Sequence, residues 1–210
     1  MIRTAFVDTS VRARDLIAAP DTAARWDTPS ALEHMTVGAL AGHLSRAILL
    51  PHDYLAHADP PAADLLTAAE YFEAAGLTTD VTDALNTEIR DRGAAESAAG
   101  PAALLDRVDR AIAGYRTSLA AEQPGRRVAS LGGRAILLDE YLVTRLVELA
   151  VHIDDLAVSI GAPTPELSPT AYACAIGCML QIARDRHGDS AVVRALARRE
   201  RDTVSALRVL

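Results

Sequence analysis

The 210-residue chain has no lysine; all 21 of its basic residues are arginine. That removes a Schiff-base amine from the chemistry open to it. Beside the alanine, glycine and proline load, it reads as the coding bias of a GC-rich genome rather than a phosphate-binding device. Basic residues are also outnumbered by acidic ones, and a net charge of −7 offers no basic stripe, so no nucleic-acid partner is expected. Cysteine is limited to Cys174 and Cys178. Two cysteines four apart are not a disulfide framework, and in their alanine-rich context they suit small buried side chains. A soluble protein of the reducing cytoplasm is expected. No stretch approaches 18 uncharged apolar residues, so no membrane span is expected, and residues 1–10 lack the unbroken apolar region of a secretory signal. Tryptophan occurs once, as Trp26.

What the chain does have is helical periodicity. Half its residues are hydrophobic, enough at this length for one domain, 1–210, with a substantial core. The spacing predicts a first helix over 5–18 and a turn-rich stretch over 26–30. A second helix follows the N-cap Thr36 and passes or kinks at Pro51 towards His57. Further helices are expected over 63–75, 81–98 and 102–121, then a loop over 122–134. A long helix over 136–160 stops at Gly161. Ser168 caps and Pro169 opens a helix through Arg186, and a last helix covers 189–201. No internal repeat interrupts this pattern; the fold class is all-α, a helical bundle.

Glu148 and His152 stand four residues apart within an apolar run, so they project side by side from a helix face that should be buried. Buried charges need a partner or a metal. A third donor must come from another helix. His43 is the best placed, lying between small and apolar residues with Gly42 beside it to admit a close helix. His52, nine residues on, falls about 180° round the same helix. His34, His57 and His187 sit at turns or helix ends. Two imidazoles and a carboxylate make the donor set of an open catalytic zinc site, which could also take iron or nickel. From spacing alone two other readings stay open: a buried hydrogen-bonded pair, or a Glu148 satisfied by Arg145 one turn earlier.

Residues 26–30 (WDTPS), Leu32, and 36–44 (TVGALAGHL) resemble the first signature of the mycothiol-dependent maleylpyruvate isomerase N-terminal domain family. Residues 141–157 (YLVTRLVELAVHIDDLA) resemble its second. The family belongs to the DinB-like metalloenzyme superfamily. The resemblance implies a DinB-like four-helix bundle with a metal-binding core over about 1–163 and additional C-terminal helices over 164–210. It implies a divalent metal, usually zinc, on His43, Glu148 and His152, and mycothiol or a related thiol as cosubstrate. The other partner would be an electrophilic small molecule, and the protein would act as a monomer or homodimer. The isomerase itself carries a further C-terminal domain that this sequence does not show, so thiol transfer is expected rather than maleylpyruvate isomerisation.

Asp155 is a candidate second-shell acceptor or catalytic group, with Asp154 expected at the surface. Arg46 and Tyr141 are candidates for holding the bound thiol or substrate, against the plainer roles of ion pairing and core packing; Trp26 shares that choice. No protein nucleophile is apparent: there is no Gly-x-Ser-x-Gly elbow, and neither cysteine adjoins the metal motifs. Two alternatives remain: a hydrolase using zinc-bound water with Asp155 as base, and a non-catalytic metal-binding module.

Overall fold

The computed structural model describes residues 1–61, 64–76, 83–130, 133–197 and 207–209. The described elements are, in order, α1 (Ile2–Ile17), α2 (Pro20–Ala24), α3 (Val37–Leu55), α4 (Ala68–Ala75), α5 (Ala84–Ser97), α6 (Pro101–Ala121), β1 (Arg127–Ala129), β2 (Ala135–Leu137), α7 (Leu138–Ile160), α8 (Pro169–His187) and α9 (Asp189–Ala197).

Local chemistry sets the helix ends. The Thr36 side chain accepts a hydrogen bond from the Ala39 N–H, and Ser168 does the same for Ala171 with Pro169 in the first turn. Thr67 and Glu70 form a reciprocal capping box that starts α4. Gly161 adopts a left-handed φ of 72° and ends α7. Pro51 does not end α3. On the turn it disturbs, the Tyr115 hydroxyl of α6 donates to the Ile48 carbonyl.

Four helices close a ring in which α1 packs on α7, α7 on α3, α3 on α6 and α6 on α1. Phe6, Leu40, Leu44, Ile48, Leu104, Tyr115, Leu119, Leu142 and Leu149 fill its centre. On the outer side of α7, α8 and α4 build a second apolar cluster from Phe72, Val147, Ala175, Cys178 and Ile182. The fold is the expected all-α, DinB-like bundle. No helix among the described residues is long and apolar enough to cross a membrane.

Some boundaries differ from the sequence expectation. The first helix starts at Ile2, and a short α2 follows it. The expected loop over 122–134 contains β1, which pairs antiparallel with β2, Val128 opposite Ile136. Strands of three residues are too short to show a two-residue alternation, which is why the hairpin escaped the pattern. Residue 63, the expected start at Val81, and the end of the last helix beyond residue 197 lie outside the described residues.

Candidate metal centre

His43 sits on α3 where α5 crosses it. A side chain on Gly42 would collide with the Gly93 carbonyl, and a Cβ on Gly93 would lie 2.8 Å from the Ala39 carbonyl oxygen and 3.1 Å from the His43 Cβ. Two glycines thus let the helices touch backbone to backbone, with Gly93 beside the His43 Cβ. The imidazole is directed across to α7. Its Nε2 lies 3.0 Å from the His152 Nε2 and 3.6 Å from Glu148 Oε2. The His152 Nε2 to Glu148 Oε2 distance is 3.4 Å. Donors held tetrahedrally at zinc–ligand distances stand about 3.3 Å apart. The three edges bracket that value, so the donor set fits a divalent cation with further positions open. Their side chains are only 16–18% exposed. Among the described residues this is the only cluster of three or more His, Cys, Asp or Glu donors in such reach.

The next shell is built from α7 itself. His152 Nδ1 lies 2.9 Å from Asp155 Oδ2. Donation of the Nδ1 proton to that carboxylate leaves the Nε2 lone pair facing the cluster, the tautomer that ligates a metal. Electrostatics divides the two histidines. Burial, followed by the charge of His152, lowers the His43 pKa, so this ring is neutral at pH 7. Burial also works against charge on His152, but hydrogen bonds to Asp155 and Glu148 outweigh it and raise its pKa to about 9. Burial alone would raise the Glu148 pKa; hydrogen bonds from His152 and His43 and the charge of Arg145 instead hold it well below the usual carboxylate range. His43 Nδ1 is buried with no hydrogen-bond partner among the described residues.

The candidates group unevenly. Tyr141, Glu148, His152 and Asp155 follow steps of seven, four and three residues on α7, which confines them to one narrow face. Arg46, one turn beyond His43, lies 3.5 Å from Glu96 of α5, which also pairs with Arg107 of α6. Tyr141 is wholly buried and its ring packs 5.2 Å from that of Tyr54. Trp26 lies flat over Gly38, away from the cluster's own helix faces. Asp154 is exposed and accepts from the Thr164 hydroxyl at 2.5 Å. His34, His52, His57 and His187 are all exposed. Cys174 and Cys178 belong to α8, where burial raises both thiol pKa values, Cys178 to about 12.

Sequence reasoning did not single out Gly93, whose role depends on a crossing partner 51 positions away, nor Arg145 as a site residue. Arg145 was weighed only as a neutralising partner for Glu148. In the structure it is buried, forms no ion pair with Glu148, and lies over the rings of Tyr71 and Tyr141.

A DinB-like helical bundle that converges two imidazoles and a carboxylate from two facing helices defines a class of candidate metal-dependent proteins. Within it, the chain belongs to the mycothiol maleylpyruvate isomerase N-terminal domain family, whose profile matches residues 7–157. Comparison with curated proteins and with solved structures gives no match.

Proposed function

We propose that the chain is a metal-dependent enzyme that activates a low-molecular-weight thiol of the mycothiol type for transfer to an electrophilic small molecule. The observation that carries this reading is the donor triangle of His43, Glu148 and His152, with edges of 3.0, 3.6 and 3.4 Å in a site that is mostly but not fully closed. A divalent metal bound there, zinc in the first instance, would supply the positive charge that holds a thiol as its thiolate near neutral pH. His43 presents a neutral Nε2. His152 presents its own Nε2 because the opposite nitrogen keeps its proton and donates it in a hydrogen bond to Asp155. Glu148 is held ionised and brings the one negative charge of the set. The protein supplies no nucleophile in this scheme. Its two thiols are on α8, and burial keeps both protonated at neutral pH.

The test is metal stoichiometry together with thiol-dependent turnover. Purified protein is expected to hold about one zinc per chain, and His43→Ala and His152→Ala to lose both the metal and the turnover. Full zinc occupancy in the double variant would refute the assignment. The hydrolytic alternative requires Asp155 as a base, yet its Oδ2 is already engaged by His152. Metal-dependent turnover in the absence of any thiol would favour it.

A further inference from the structure

Arg145 is 6% exposed. Its guanidinium carbon stands 4.9 Å from the Tyr141 ring centre and 5.4 Å from that of Tyr71. Its Nε donates to Thr144 Oγ1 at 3.0 Å and one terminal nitrogen donates to the Tyr71 hydroxyl at 3.3 Å. Both acceptors are neutral, and no carboxylate pairs with it among the described residues. A guanidinium has five N–H donors, and among the described residues two of its nitrogens are engaged. Burying a cation without a direct ion pair is costly, and the aromatic faces and the more distant charge of Glu148 offset only part of that cost. Beside it, the Tyr141 hydroxyl is buried with no hydrogen-bond partner within normal reach among the described residues. A buried cation held only by neutral acceptors and an unpartnered hydroxyl therefore share one face of α7.

Glu148 is the nearest acidic residue along that face, one turn on. Its carboxylate is committed to the His43 and His152 cluster, and a divalent cation there would take up its charge. Loading the centre thus leaves Arg145 more in need of an anion than before. Tyr71 of α4 covers Arg145, and it and Tyr54 of α3 are both only half-buried. Tyr54 packs on Tyr141 and lies three turns along α3 from His43, while Tyr141 lies two turns from Glu148 and three from His152 along α7. The α3–α7 seam accordingly runs from the donor cluster to the tyrosines, with Arg145 between them.

We propose that Arg145, one turn from Glu148 along α7, and the Tyr141 hydroxyl, a further turn away, form an anion subsite, and that it takes a planar carboxylate of the ligand. This rests on the metal centre proposed above. One planar fork with one hydroxyl suits a carboxylate, accepted bidentately, better than a phosphate, which calls for more donors. The carboxylate can belong to the electrophile or to the thiol.

Benzoate, with benzamide as the neutral control, is the probe. Isothermal titration into zinc-loaded protein is expected to show benzoate binding, no benzamide binding, and about tenfold or greater weakening in Arg145→Gln. Tyr141→Phe keeps the ring and removes only the hydroxyl; a several-fold loss is expected from it, which guards against a failure of Arg145→Gln to fold. In cobalt-substituted protein the visible spectrum is expected to stay unchanged as benzoate binds. A spectral shift with affinity indifferent to both substitutions would place the carboxylate on the metal and overturn the subsite, as would no benzoate binding at all. The source of the carboxylate is read from matched pairs, iodoacetate against iodoacetamide as acceptor and 3-mercaptopropionate against 2-mercaptoethanol as thiol. Arg145→Gln is expected to raise KM selectively for the anionic member of one pair. Benzoate binding that depends on Arg145 in a protein with no thiol-dependent turnover would keep the subsite and reject the reaction.

Discussion

His152 carries opposite obligations in the metal-free and metal-loaded protein. Without metal its pKa is raised from 6.5 to about 9 by Asp155 and Glu148 against the opposing effect of burial. A base whose folded pKa is raised contributes stability that is fully present below the unfolded value and is lost as pH rises through the folded one. Chelated protein is therefore expected to lose melting temperature as pH rises from about 6.5 to 9. A metal must displace the same proton, so the melting-temperature gain on adding zinc is expected to grow over that window. His43, already neutral at pH 7, adds no competing proton there. Thermal scans at several pH values, with and without zinc, check both slopes; equal slopes in wild type and His152→Gln would show that another group sets them. Asp155→Asn isolates the supporting role. It keeps the shape but loses the carboxylate charge that fixes the His152 tautomer, and zinc affinity is expected to fall about 10- to 100-fold with little change in fold. Competition with a chromophoric chelator reads that difference. The i, i+3 spacing made the contact between His152 and Asp155 legible in the sequence. Arg145 was less legible, because an Arg three residues before a Glu looks the same in one dimension whether the two pair or face different neighbours.

At the scale of the element, the α3–α5 crossing positions His43. Gly42 betrayed a close approach, but nothing in one sequence says which helix approaches or that Gly93 answers it. Replacing either glycine with alanine forces the helices apart, a strain of about 1–3 kcal/mol. The two variants are not equivalent at the centre. The added methyl of Gly93→Ala would meet the His43 Cβ at 3.1 Å, whereas that of Gly42→Ala meets the Gly93 carbonyl and Ser97. Both are expected to lower the melting temperature, with Gly93→Ala also weakening zinc binding beyond the loss that Gly42→Ala produces. Equal affinities in the two variants would mean that the crossing holds α3 but does not aim His43. The helices themselves were readable because their caps are local: Thr36, Ser168 and Gly161 act within one turn. The β1–β2 hairpin and α2 were not, since each is too short to establish a period against its surroundings.

For the whole molecule, α7 runs through both cores. Leu142 and Leu149 enter the four-helix core, Val147 enters the cluster with α8, and the remaining face carries Glu148 and His152 towards α3. The family match ends at residue 157, before α8 begins, yet Ala175, Cys178 and Ile182 of α8 are buried against the outer side of α7. Residues beyond the match thus pack against α7 in the cluster that holds Val147, the residue before Glu148. The metal would in turn tie α3 to α7, elements separated by α4, α5, α6 and the hairpin, so its binding energy adds to the stability of the bundle as a unit. Ile182→Ala removes a fully buried side chain from the second cluster, and a cost of about 2–5 kcal/mol is expected. If the two cores act as one body, zinc at a thousand times its Kd should return about 4 kcal/mol to that variant and to wild type alike. Denaturant unfolding with and without zinc, in both proteins, measures the two gains. A second transition in Ile182→Ala that ignores zinc would instead show that α8 unfolds apart from the centre. The residues after the family match would then back the metal site without being coupled to it.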